Sequence, residues 1–195
     1  MELAENGGRR SVPGNHREHG SRGRLILTPV LPEDANRDLT FVGGPGKEFL
    51  VGGTDYATRV RPGHEGRSQE LGAWRIEISP KRPAAADAYL NVMQICDRAS
   101  SKSTRMDVER ITTRSCVGCR AGEYVALFSK SGRPLARSVT LELTGTRRSR
   151  VLVTDLSPGT WRVKRGWSTV ETVTVTKAEG AAYFEGGAGK YTLSR

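Results

Sequence analysis

Short apolar runs separated by turn signals constrain the fold of this chain more than any other feature. Each run has a length typical of a strand, about four to eight residues, and no long segment shows the 3.6-residue periodicity of an amphipathic helix. The 195 residues include 23 glycines and 9 prolines, as expected where many strands need many turns. The pattern predicts an all-β fold, namely an antiparallel β-sandwich or two stacked sheets.

Alternation of apolar and charged residues marks individual strands. In residues 73–78, Trp74, Ile76 and Ile78 face one way and charged residues face the other, which is typical of a half-buried strand. Residues 89–96 are apolar on both faces, which predicts a central strand. The other predicted strands are Leu25–Leu31, Asp38–Val42, Glu48–Val51 (ending in a tight reversal at Gly52-Gly53), Met106–Thr112, Tyr124–Phe128, Val139–Leu143, Val151–Thr154, Thr160–Val163, Val170–Val175, Ala181–Phe184 and Tyr191–Leu193.

Residues 1–23 differ from the rest in composition. They are polar, rich in glycine, arginine and histidine, and lack periodicity, so we predict a disordered basic leader. Residues 24–195 form the predicted β-sandwich region, with a subdivision near residues 98–105 as an alternative. The first residues show no apolar core of a signal peptide, and no apolar run reaches membrane length. We therefore expect no membrane partner, whereas the compartment stays open.

The net charge of +10 favours acidic partners. Polyanionic glycans and nucleic acid both suit such a charge. Nucleic acid is the weaker expectation, because no aromatic pair of the RNP type and no recognition helix accompany the charge. The arginines are spread along the whole chain, so a surface that only confers solubility is an equal alternative.

Cysteine and histidine spacing does not predict a metal site. Cys116 and Cys119 form one CxxC pair, whereas structural zinc needs four ligands. Cys96 and the three histidines lie far from this pair in sequence. We expect no metal and no cofactor, and we interpret the pair as a turn that carries two thiols. A disulfide stays open if the chain is exported.

Five basic residues are predicted to form a polyanion-binding site. A hairpin built from Val151–Thr154 and Thr160–Val163, centred on Ser157-Pro158, would place Arg150 near Arg165. Facing like charges destabilise a sheet, so the cluster must be solvated or meet an anion. Arginine suits bidentate contacts with sulfate or carboxylate, and a solvated rim is the alternative. The predicted residues are Arg147, Arg148, Arg150, Lys164 and Arg165.

The sequence shows no catalytic motif for bond cleavage. His64 lies in a predicted loop, with no tyrosine at a spacing that suggests a catalytic pair, and no GxSxG elbow is present. Trp74 and Trp161 lie on alternating strands, which favours core anchors over sugar-stacking residues. Trp167 follows Arg-Gly in a turn and is the aromatic residue that we expect to be exposed.

Three segments of the chain have a sequence that is more specific than a strand pattern alone. The first combines GRLILTPVLPEDA (residues 23–35) with VGGPGKEF (residues 42–49). The second is LGAWRIEISPKRPAAADAYLNVMQI (residues 71–95), a strand, a proline-rich loop and a strand. The third combines VTDLSPGTWRV (residues 153–163) with AAYFEGGAGKYTLSR (residues 181–195). Together they resemble the C-terminal β-sheet region of heparinase II/III-like polysaccharide lyases.

The resemblance implies an accessory or structural domain that is not active alone. Enzymes of that family carry an α/α-toroid and a large β-sandwich, in which tyrosine and histidine residues perform the β-elimination. No position here matches those catalytic motifs, so no catalytic residue is assigned. The implied partners are an acidic polysaccharide and a catalytic lyase domain or chain, and the family is usually periplasmic or secreted. The alternatives are a basic nucleic-acid-binding β protein and an independent carbohydrate-binding module.

Overall fold

The computed structural model of the chain is almost entirely β, with 62% strand and 2% helix, which confirms the predicted all-β class. Two compact units make up the chain, unit 1 (Met1–Thr104) and unit 2 (Arg105–Arg195). Within the described residues, no helix has the length and apolar character needed to cross a bilayer. The structure describes residues 2–5, 8–11, 23–43, 47, 49–56, 74–97 and 105–195.

Unit 1 consists of short strands joined by turns. Its described strands are β1 (Glu2–Glu5), β2 (Gly8–Ser11), β3 (Gly23–Leu31), β4 (Arg37–Gly43), β5 (Leu50–Val51), β6 (Thr54–Asp55), β7 (Trp74–Pro80) and β8 (Leu90–Asp97), with one 3-10 turn at Asp34–Asn36. The main sheet has the order β2-β1-β3-β8, and β4-β7 and β5-β6 form two-stranded sheets. Gly52 and Gly53 both have positive φ, 55° and 81°. A two-residue hairpin turn needs this conformation, so the predicted tight reversal is confirmed.

Strand β8 differs from the prediction of a central strand. Among the described strands it pairs only with β3, at the edge of the sheet. Its residues alternate between half-buried and exposed, and Met93 and Ile95 are 65% and 82% exposed. The apolar residues on its second face suggested burial on both faces, but only one face of β8 packs against other described residues.

Arg37 fixes the turn between β3 and β4. Its side chain is buried, and Nη1 donates hydrogen bonds to the carbonyl oxygens of Pro29 (3.2 Å) and Pro32 (2.8 Å). The guanidinium also forms an ion pair with Asp34. A buried charge is tolerated only when its donors are satisfied, so these three partners explain how an arginine sits here.

The predicted leader, residues 1–23, is only partly described. Two of its segments are strands: β1 pairs with β2 in antiparallel and with β3 in parallel orientation. The other leader residues except Gly23 lie outside the described residues, as does His64, so the leader and the solvated histidine stay predictions.

Unit 2 is a two-layer sandwich. One layer is a five-stranded sheet in the order β16-β13-β11-β10-β9, and the other is a four-stranded sheet in the order β12-β17-β14-β15. The strands are β9 (Val108–Thr112), β10 (Cys116–Ala121), β11 (Tyr124–Ser129), β12 (Val139–Leu143), β13 (Ser149–Val153), β14 (Gly159–Arg165), β15 (Ser168–Val175), β16 (Ala182–Gly186) and β17 (Gly189–Ser194). Neighbouring strands are antiparallel except for β11 and β13, which are parallel.

A single core lies between the two layers. Val139, Leu141 and Leu143 of β12 point inward from one sheet, and Val151 and Val153 of β13 point inward from the other. This period of two is the pattern from which the strands were predicted, and it confirms the two stacked sheets. The rest of the core cluster comprises Cys116, Val125, Leu127, Leu156, Trp161, Val163, Val175, Ala182, Phe184, Tyr191 and Leu193.

The chain crosses repeatedly from one layer to the other. From β11 to β17, every connection except the β14–β15 hairpin joins strands of different sheets. The crossing after β13 is fixed by Asp155, whose φ is 58° and whose Oδ2 accepts a hydrogen bond from the Ser129 amide (2.8 Å). The next residue, Leu156, is buried in the core.

Candidate functional site

The hairpin that the sequence predicted around Ser157-Pro158 is wrong. Strands β13 and β14 belong to different sheets, so Arg150 and Arg165 do not face each other across a turn. The physical reason is Leu156, which would sit at an exposed hairpin tip but is only 2% exposed in the core. Burial of this side chain favours a crossing between the layers over a local reversal.

Four of the five predicted basic residues line one or more of three cavities of unit 2. Arg147 and Arg148 line the first, which we call the arginine cavity. Arg150 lines the second, the tyrosine cavity. Arg148 and Arg165 line the third, the Glu171 cavity. Lys164 lines none of the three. The structure therefore brings Arg147 together with Arg148, and Arg148 with Arg165, but it does not gather all five.

The arginine cavity has a volume of about 560 Å³ and lies beside the β12–β13 connection. Its walls carry three guanidinium groups but only one carboxylate, that of Glu123. This carboxylate is also engaged elsewhere, since its Oε1 lies 3.2 Å from Nη1 of Arg150. The excess of guanidinium groups makes the cavity suited to an anion. It is lined by Met106, Arg120, Gly122, Glu123, Tyr124, Thr144, Gly145, Thr146, Arg147, Arg148 and Ser149.

Arg120 is a cavity residue that the sequence did not indicate. It follows the CxxC pair on β10, and its Nη1 donates a 2.6 Å hydrogen bond to Oγ1 of Thr144, which ties the β12–β13 connection to β10. Its Nε is buried and has no hydrogen-bond partner within the described part of the chain. A buried unsatisfied donor on a cationic group is costly, and an anion in the cavity could accept from it.

The tyrosine cavity lies on the outer face of the five-stranded sheet. Across β11, β13 and β16, Tyr124, Arg150 and Glu185 are direct neighbours, and Leu152 and Tyr183 are neighbours in the next row. These side chains point away from the core because their strand neighbours point into it. The volume is about 560 Å³, and the lining residues are Cys119, Ala121, Tyr124, Val125, Ala126, Arg150, Leu152, Tyr183 and Glu185.

A polar network holds the side chains of this face in place. Arg150 Nη1 donates to the Tyr124 hydroxyl at 2.9 Å, and the guanidinium carbon lies 5.5 Å from the centre of the Tyr124 ring. Arg150 Nε lies 3.5 Å from Oε1 of Glu185, which also accepts a 2.8 Å hydrogen bond from the Tyr183 hydroxyl. The interaction with Tyr124, followed by the charge of Glu123, raises the pKa of Arg150.

Tyr183 is a poor candidate for a catalytic base. The hydrogen bond that it donates to Glu185 raises the pKa of Tyr183 above its ordinary value. A raised pKa makes this phenol a weaker acid than a free tyrosine, whereas proton abstraction requires a group that gives up its own proton near the working pH.

The CxxC segment is a strand, which corrects its interpretation as a turn. Strand β10 pairs with β9 on one side and β11 on the other, and Cys116 and Cys119 point to opposite faces. Cys116 lies in the core and Cys119 in the tyrosine cavity; both are free thiols, and burial raises the pKa of each. A glycine is required at Gly118, between the two cysteines, because β11 passes so close that a Cβ there would lie 1.8 Å from the Ala126 oxygen.

The two tryptophans whose side chains the structure describes have the burial that the sequence predicted. Trp161 is fully buried in the core, and its Nε1 donates a 2.9 Å hydrogen bond to the Ser157 oxygen, which confirms a core anchor. Trp167 is fully exposed in the turn between β14 and β15, which is also confirmed. The Trp74 side chain lies outside the described residues. No group of three or more potential metal ligands comes together in the part of the chain that the structure describes.

Together these features define a class of protein: a two-layer β-sandwich module whose surface combines an arginine-lined cavity with a tyrosine-bearing sheet face. Residues 110–195 match the family model of the heparinase II C-terminal domain, which confirms the resemblance to that domain over this part of the chain. The third of the segments that resemble the family, residues 153–163 with 181–195, lies inside the match. The first and second segments precede residue 110 and lie outside the match. No curated protein matches the chain.

Proposed function

We propose that the chain is a non-catalytic accessory domain of a heparinase II/III-like polysaccharide lyase, and that unit 2 contacts acidic polysaccharide through its arginine cavity. The observation that carries the proposal is the convergence of Arg120, Arg147 and Arg148 on one cavity with a single, already engaged carboxylate. Sulfate and carboxylate groups of an acidic glycan are suitable bidentate acceptors for such guanidinium groups.

The non-catalytic part of the proposal is supported by the state of the described side chains. Uronate β-elimination needs a base at the C5 proton and a group that neutralises the carboxylate. The hydrogen bond that Tyr183 donates to Glu185 raises the pKa of Tyr183, which disfavours this phenol as the base. We expect the purified chain to generate no unsaturated uronate from heparan sulfate or alginate, as followed by ultraviolet absorbance. Turnover by the chain alone would overturn this part.

Binding is tested by isothermal titration calorimetry with heparan sulfate at several salt concentrations. The double variant R147E/R148E should bind at least about tenfold more weakly, because two charge-assisted contacts are replaced by repulsion. The matched control is the double variant R162E/K177E, which makes the same charge change at two exposed positions outside the three cavities. Equal loss in both variants would mean that binding follows net charge alone and would contradict the cavity assignment.

Nucleic acid serves as the comparison ligand in the same experiment. A basic protein binds DNA through phosphates, with an affinity that falls steeply as salt rises. Tighter binding of single-stranded DNA than of heparan sulfate, with equal sensitivity to R147E/R148E and to R162E/K177E, would favour the nucleic-acid-binding alternative.

A further inference from the structure

We infer that the tyrosine cavity on the outer face of the five-stranded sheet binds a sugar ring of the glycan, beside the anionic group that the arginine cavity takes. The inference rests on the proposed function for the class of ligand. It assigns to Tyr124 and Tyr183 a stacking role that the basic residues alone do not predict.

Three large side chains with apolar surface lie close together on this face and are exposed to solvent. Tyr124 and Tyr183 are 49% and 50% exposed, and Leu152, between them in the sheet, is 39% exposed. Smaller side chains, Ala121 and Ala126, form part of the floor. Sugar rings present C–H groups on their faces, and such groups pack on the faces of exposed aromatic rings. A cavity of about 560 Å³ lies within the usual range of small-ligand sites.

Both tyrosine hydroxyls are already engaged by protein partners. The Tyr124 hydroxyl accepts from Arg150, and the Tyr183 hydroxyl donates to Glu185. These hydrogen bonds restrict the orientations of the two rings before any ligand arrives, so little further ordering is needed on binding. What the tyrosines offer a ligand is mainly ring surface, which is the contact that a pyranose requires.

The tyrosine cavity differs from the arginine cavity in its charge. Around Arg150 there are two carboxylates, Glu123 at 3.2 Å and Glu185 at 3.5 Å, so this cluster has one positive and two negative formal charges. Such a cluster does not favour sulfate. Its carboxylate oxygens and guanidinium donors are instead suited to hydrogen bonds with neutral hydroxyl groups.

The three cavities share walls, which makes them neighbouring subsites. Tyr124 lines both the arginine cavity and the tyrosine cavity. Tyr183 and Glu185 line both the tyrosine cavity and the Glu171 cavity, and Arg148 lines both the arginine cavity and the Glu171 cavity. A single glycan chain can therefore place an anionic group among the arginines and an adjoining ring on the tyrosines.

The test uses calorimetry of the full chain with size-fractionated heparin oligosaccharides and with their desulfated, N-acetylated counterparts. We expect Y124A and Y183A to weaken binding of both ligand sets by about three- to tenfold, the range of one aromatic contact. Y124F and Y183F keep the rings and should stay within about twofold of the wild type. The R147E/R148E variant should lose most affinity for the sulfated set and less for the desulfated set, which keeps only the uronate carboxylates as anionic groups.

The control for exposed tyrosine is Y89A, since Tyr89 is 50% exposed in unit 1 and lies outside the three cavities. Melting temperatures of all variants show whether the sandwich is intact, and the phenylalanine variants keep the test valid if an alanine variant unfolds. If tyrosine variants bind like the wild type while R147E/R148E does not, the sugar-ring site is refuted and the proposed function stands. If no sulfated oligosaccharide binds the wild type, the proposed function fails. Binding of the desulfated set that depends on both tyrosines would still support the ring site.

Discussion

Replacement of Gly118 by alanine tests whether the CxxC segment is a central strand, as the structure has it. An alanine Cβ would lie 1.8 Å from the Ala126 oxygen, 2.8 Å from the Ala126 carbonyl carbon and 2.9 Å from Cα of Leu127. All three are backbone atoms, which cannot rotate away as a side chain can. Strands β10 and β11 must therefore separate by about 1 Å or more to restore normal contact.

The expected cost follows from what that separation disturbs. Cys116 and Leu127 lie in the core on the same two strands, so a shift strains core packing, and it weakens pairing in the β10–β11 ladder. Overpacking of a core costs about 1–3 kcal/mol, and a lost backbone hydrogen bond adds about 1 kcal/mol. We expect a loss of about 3 kcal/mol, which lowers the melting temperature of a unit of this size by about 12–24 °C.

The assay is thermal unfolding of the full chain followed by near-ultraviolet circular dichroism, to which the buried Trp161 contributes. The matched control is G187A, because a Cβ at Gly187 meets no atom within 4 Å and its φ is not in the left-handed region. G187A should melt close to the wild type. If G118A also melts within about 3 °C of the wild type, close to the effect of a neutral surface change, the close approach of β10 and β11 is refuted.

Two further predictions concern buried polar groups. R37A should destabilise unit 1 by about 2–4 kcal/mol, because it leaves two carbonyls and Asp34 without their donor, and hydrogen exchange at residues 31–37 should rise accordingly. Unchanged exchange there would contradict the role of Arg37. In a C96S variant, the two remaining thiols should resist a disulfide reagent at about pH 8 and react only after unfolding, because burial raises the pKa of Cys116 and Cys119. Rapid labelling of the native protein would contradict the burial of these thiols. Because the unfolded chain loses the two thiol protons at lower pH than the folded chain does, the free energy of unfolding should fall as pH rises above about 8.5.

The sequence predicted the sandwich well where one face of a strand is buried. Strand β12 was predicted at its observed limits, Val139–Leu143, because its residues alternate strictly between core and solvent. Periodicity reports burial, however, and not which strands pair. The apolar residues of β8 therefore suggested a central strand, and the turn signal around Ser157-Pro158 suggested a hairpin, although Leu156 is part of the core.

The candidate site was predictable only in part. Arg147 and Arg148 were predicted from a hairpin that the structure does not form, although they do line one cavity together. Arg120, Tyr124 and Tyr183 were missed, since each comes near the others through the order of strands in the five-stranded sheet. A signal was present for the tyrosines: each alternates with core residues, so each had to project from the opposite face.

The repeated crossing of the chain between the layers of unit 2 makes this unit hard to divide. A protease cut between β12 and β13, or between β15 and β16, would leave each fragment with strands of both sheets and neither sheet complete. Each fragment would expose the interior of both layers at once, so neither should persist as a folded piece. Limited digestion is therefore expected to yield unit 2 either whole or degraded to small peptides.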